Sequence, residues 1–200
     1  MVNTTISAAF GALSTSIIAK TRLGYWDTGS ANNGILAGLV GITSACSTCE
    51  PEGAMVIGVV SGFVYTYASN LLLKIKIDDV VDAIPVHFAC GVWGVLAASL
   101  FATKDNYALA YYGEPDNCAG VFYGGDGSAV AANMSFIGAV IMWTYSACMI
   151  LFMGIKYTIG MRVDVVMEEI GMDDSKHGGQ TYPEMVKNTV VYDSDNMTSV

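Results

Sequence analysis

One of the chain's two histidines stands where an ionisable group is expensive. His87 lies in IDDVVDAIPVHFACGVWG, two residues after Pro85, within a run from Ala83 to Thr103 that holds no Asp, Glu, Lys or Arg. A neutral imidazole donates from one nitrogen and accepts at the other, so it can pass a proton or bind a small polar solute without holding charge. An ionisable side chain inside an apolar span is for that reason a functional candidate. The competing reading is a structural histidine bonded to a backbone carbonyl near the turn at Pro85. Spacing alone does not separate the two.

Asp78, Asp79 and Asp82 come just before that run. Carboxylates at a helix start accept bonds from its unpaired N–H groups and complement its dipole, so capping is the leading reading for Asp82 and for at least one of the other two. A cation site at a pore mouth is the sharper alternative. Thr43, in GITSAC, either bonds its own helix backbone or faces a pore. Cys46 and Cys49 form a CxxC with no second pair to complete a four-ligand zinc site, so they read as packing residues, with a disulfide to Cys118 as the alternative. Glycosylation sequons at Asn3 and Asn133 fall too close to spans, and the one at Asn196 falls on the inner side. With no nucleophile–base pair, phosphate loop or metal constellation, an enzyme is not expected, nor a cofactor.

The elements that must position these residues follow from the charges. Charged residues are 14% of the 200, the apolar set is 53%, and the net charge is −9. A typical soluble domain carries about a quarter charged residues. A sequence pI near 4.4 excludes a basic nucleic-acid footprint. Five runs without charge divide the chain, and each approaches the roughly 20 residues that cross a bilayer core. They predict spans at about 2–19, 31–49, 53–73, 83–103 and 129–157, an outer loop over 104–128 and a tail over 161–200. If the spans alternate, one side receives Lys20, Arg22, Lys74, Lys76, Lys156, Arg162, Lys176 and Lys187, and the other only Lys104. The positive-inside rule makes the first side cytoplasmic, with the C-terminus inside and the N-terminus of this chain outside. Glycine numbers 22, and Gly34-x-x-x-Gly38, Gly58-x-x-x-Gly62 and the Ser7/Gly11 pair have the spacing that lets helices pack closely in lipid.

SANNGILAGLVGITSAC, GAMVIGVVSGFVY and LLLKIKIDDVVDAIPVHFACGVWG, in that order, resemble the Amt/Mep branch of the ammonium transporter family, and GMRVDVVMEEIGMDDSKHGGQTYPE resembles its cytoplasmic C-terminal signature. The resemblance runs to about Glu184. It implies an all-α integral membrane fold whose five spans match helices seven to eleven of an eleven-helix protein, built in the family from two inverted five-helix repeats. On that reading the chain is a fragment. The resemblance further implies a homotrimer in the plasma membrane, with ammonium or ammonia and membrane lipid as partners. His87 matches the second of two pore histidines that share a hydrogen bond, Thr43 a threonine near the pore, and Asp79 and Asp82 aspartates that precede the pore histidine. Ser175 occupies the place of a tail threonine that is phosphorylated in related plant transporters to shut the trimer. Val80 departs from the usual DDPxD, and Phe88 stands where VHG is usual, beside the pore histidine. The resemblance therefore implies ammonium transport by the whole protein, with an ammonium sensor and a non-transporting truncated subunit as the other readings.

Overall fold

The structure is a computed structural model that describes residues 1–112 and 118–172, the side chains of 169 and 170 excepted. Among the described residues the regular structure is helical: α1 Val2–Leu23, α2 Thr28–Ile42, α3 Pro51–Ile75, a six-residue π-helical turn Ile84–Ala89 that leads directly into α4 Cys90–Phe101, α5 Lys104–Tyr111, α6 Ser128–Thr158 and α7 Val165–Ile170. Strand pairing among them is limited to one isolated bridge between Cys49 and Ala102. Among the described residues, four helical stretches are long and apolar enough to cross a membrane: Val2–Leu23, Pro51–Ile75, Ile84–Phe101 and Ser128–Thr158. The second predicted span takes a different form. Its helix has 15 residues and ends at Ile42, and the chain turns through Thr43–Thr48 before Pro51 opens α3. Thr43 already has its N–H on the Val40 carbonyl, the tighter bond of a closing helix, and a run of Ser and Thr hydroxyls follows.

Contacts divide the chain into two units, Met1–Thr144 and the part from Tyr145 onward. In the first, α1 packs chiefly against α2 and α3, and α4 packs on α2. The seams are made of small residues. A Cβ placed on Gly38 would lie 2.3 Å from the Ser7 carbonyl oxygen, and one on Gly58 would lie equally close to the same atom. Ser7 is fully buried there and its hydroxyl donates to the Gly38 carbonyl at 2.8 Å. Without a hydrophobic drive between helices in lipid, such close backbone approach is what holds a bundle together. The outward faces carry large apolar side chains such as Ile17, Phe63, Leu73 and Trp143, all more than half exposed.

Capping residues set the helix ends. Asp27 accepts from the Ser30 N–H at 2.7 Å and the Ser30 hydroxyl at 2.6 Å at the start of α2. These bonds hold its carboxyl below its ordinary value of 3.8. Gly24 ends α1 in the left-handed region at φ +83°, where a side chain would be strained. At one end of the first unit, Thr103 N–H donates to the Thr48 carbonyl, Asn106 to Glu50, and Gly120 N–H to the Ala102 carbonyl. At the opposite end, Arg22 donates to Asn70. In the second unit, Arg162 ahead of α7 pairs with Glu168 on that helix at 3.3 Å, exposed and so worth little.

Candidate functional site

The π-helical turn decides where His87 points. Asp79 caps it: its two carboxylate oxygens accept from the N–H groups of Ala83 at 2.9 Å and Ile84 at 2.7 Å. Pro85 and Val86 follow and are buried, Val86 against a cluster of Ala37, Tyr65 and Cys90. His87 and Phe88 come next, and both are exposed. The turn thus anchors two residues and presents the next two. π-helical turns are rare and concentrate at functional sites.

His87 and Thr43 line one cleft of about 270 Å³, together with Phe88 on the same turn and Phe136 from α6. The Thr43 hydroxyl donates to the Val40 carbonyl at 2.8 Å. Its single proton is thereby used, which leaves its oxygen as an acceptor only. Among the described residues the His87 ring makes no hydrogen bond. Apart from His87, Thr43 and Ser44, the cleft is lined by Gly and apolar side chains.

Asp82 lies elsewhere and does different work from the expected cap. Its side chain accepts from the Tyr65 hydroxyl at 2.7 Å, the Ser69 hydroxyl at 2.9 Å and Asn33 at 3.4 Å. Asn33 also donates to the Tyr65 hydroxyl at 2.9 Å. Of the acids before α4, Asp79 is the cap, while Asp82 ties its turn to α2 and α3. Asp82 also holds φ +55°, which takes its side chain away from the helix start. It borders a separate cavity of about 380 Å³, lined also by Arg22, Asp27 and Asn70. The sequence reading did not single out Tyr65, Asn33 and Ser69; their polarity inside charge-free runs was the available signal. All five cysteines are free thiols, so no disulfide joins Cys46 or Cys49 to Cys118. Ser175 and His177 lie outside the described residues.

A family model described as Ammonium Transporter Family matches residues 1–182. The chain belongs to that family. Among its relatives, ammonium transporter Amt2 of Archaeoglobus fulgidus is 38% identical over 92% of this chain and 39% of its own length. Ammonium transporter 1 member 2 of Oryza sativa subsp. japonica is 33% identical over 90% and 36%. The chain therefore spans less than half the length of these relatives. The crystal structure of Saccharomyces cerevisiae Mep2 superposes with a TM-score of 0.75 at 30% identity, covering 82% of this chain and 36% of that one. A structure described as a sensor Amt protein gives 0.74 at 27%, covering 88% and 40%. As an ammonium transporter family chain with these helices, the protein is an integral membrane protein.

Proposed function

We propose that the whole protein conducts ammonium across the plasma membrane, with its C-terminus in the cytoplasm and its subunits in a homotrimer. The observation that carries this reading is the imidazole of His87, unbonded among the described residues and facing the same small apolar cleft as the Thr43 acceptor. An ammonium ion entering such a cleft loses most of its hydration, which favours release of a proton and passage of neutral ammonia. A neutral imidazole accepts a proton at one nitrogen while releasing one from the other, so His87 relays the proton and the ammonia passes separately. Thr43 accepts an N–H from the passing solute. Asp79 and Asp82 keep the turn that carries His87 in place from the inner side. Ser175 is the regulatory phosphosite of the tail, where phosphate adds negative charge beside Asp173 and Asp174.

The test is uptake of methylammonium by the full-length protein. His87→Ala is expected to abolish it, and His87→Glu to change which substrates pass. Unaltered uptake in both variants sinks the assignment. The likeness to a sensor Amt protein supports a second reading, in which the pore binds ammonium and the tail signals. Reconstituted protein that binds ammonium yet carries neither current nor ammonia flux would favour the sensor.

A further inference from the structure

We propose that Tyr65 is a positioning residue for His87, acting through the π-helical turn that carries it; the expected change in flux rests on the transport reading above. Tyr65 lies on α3, is 6% exposed and meets the turn at its buried side. Its hydroxyl donates to the Asp82 carboxylate at 2.7 Å, and the Asp82 carbonyl accepts the Val86 N–H at 3.0 Å. Its side chain also shares a buried cluster with Val86 and Cys90. Val86 is the residue before His87, and Cys90 is the first residue of α4. The Cys90 thiol adds a bond at 3.5 Å to the Ser61 carbonyl, one turn before Tyr65 on α3. Tyr65 thus holds the segment ahead of His87 by a hydrogen bond, and packs with residues on both sides of it.

The hydroxyl has one proton and uses it at Asp82, because Asn33 donates to its oxygen at 2.9 Å. Asp82 itself stands at φ +55°, a conformation that residues with a side chain adopt only where their surroundings hold them. His87, by contrast, makes no hydrogen bond among the described residues, so its place is set by the backbone that carries it. Loss of the Tyr65 hydroxyl removes the shortest of the bonds on Asp82 and lets that backbone shift. A reacting group misplaced by about 1 Å can lose about 100-fold in rate, so a small shift is enough.

The full-length protein is reconstituted in lipid vesicles, and ammonium flux against concentration is compared for the parent, Tyr65→Phe and Thr66→Val. Tyr65→Phe keeps the ring and removes the hydroxyl. Thr66→Val removes the hydroxyl of the next residue, which donates within α3 to the Gly62 carbonyl at 2.8 Å. Tyr65→Phe is expected to lower the maximal flux about tenfold with the half-saturating concentration nearly unchanged, and Thr66→Val to keep the parent's flux. The placement of the turn is read separately. His87→Cys and Val92→Cys report on the turn and on α4 by their rates of reaction with a small methanethiosulfonate, over the background of the native thiols. With Tyr65→Phe added, the rate at position 87 is expected to change severalfold and the rate at position 92 to stay. Should Tyr65→Phe not fold, Asn33→Ala, which takes away the amide that orients the hydroxyl, is expected to move both readouts the same way by less. Unchanged flux in the folded variant, an equal fall in Thr66→Val, or equal changes at positions 87 and 92 overturn the proposal, the last because the helices would then have loosened together. Absence of ammonium flux in the parent protein overturns the transport reading instead, and the labelling still decides the role of Tyr65.

Discussion

The side chain of Asp82 accepts bonds from two helices while its backbone holds φ +55°, and a replacement must satisfy both demands. Alanine satisfies neither, because it strips the acceptors from Tyr65 and Ser69 and is disfavoured in the left-handed region. Asp82→Ala is expected to lose about 2–3 kcal/mol of stability. Asparagine tolerates the backbone and keeps one acceptor oxygen, so Asp82→Asn is expected to lose less, as thermal melting in detergent will show. Asp27 adds a pH dependence. Its carboxyl is held below 3.8 by the Ser30 bonds, so its stabilisation is present above that value and fades as the pH falls through the lower folded one. The melting difference between the parent and Asp27→Asn is therefore expected to narrow from pH 7 to pH 3. A constant difference would show that the charge contributes nothing.

At the scale of elements, the contact among α1, α2 and α3 is made at the carbonyl of Ser7. A methyl group on Gly38 or Gly58 would meet that oxygen at 2.3 Å, so one helix must shift. Gly38→Ala and Gly58→Ala are each expected to destabilise by about 1–3 kcal/mol. By contrast, Gly138 on α6 has open space around its Cβ position, so Gly138→Ala is expected to be tolerated. Comparative melting of the three variants checks the contrast. The small-x-x-x-small spacing made this seam legible in the sequence, as charge-free runs did the long helices. Other features were not legible for physical reasons. Hydropathy carries no signal for a six-residue π-helical turn, since the same apolar residues suit either helix. The end of α2 was hidden because Ala45, Cys46 and Cys49 continue an apolar run through a turn. The partners of Asp82 lie 13 to 49 residues away in sequence, on elements whose relative rotation no local pattern records.

For the whole molecule, the sorted charges predict an orientation that chemical labelling can read. A cysteine placed at Lys104 is expected to react with a membrane-impermeant maleimide applied outside intact cells, over the background of the native thiols. One placed at Lys76 is expected to react only after permeabilisation. The reverse pattern would invert the proposed topology. The proposed regulation belongs to the same scale, because on that reading phosphate on Ser175 acts through the assembled protein. Ser175→Asp is expected to lower ammonium uptake severalfold at an unchanged amount of protein in the membrane. Equal uptake would remove Ser175 from regulation.

The turn at Ile84–Ala89 has a consequence for insertions and deletions. Its bonds close over five residues instead of four, so it holds one residue more than an ordinary α-helix would. Deleting Ala89 would let the segment relax into a plain helix with little loss of hydrogen bonding. Everything before the deletion would then keep nearly its rotation relative to α4, because the wider turn sweeps with its extra residue about the angle a plain helix sweeps without it. Within the turn His87 and Phe88 would shift part of a turn against Cys90 and Trp93, so the extra residue sets where these two side chains stand while the segments on either side keep their frame.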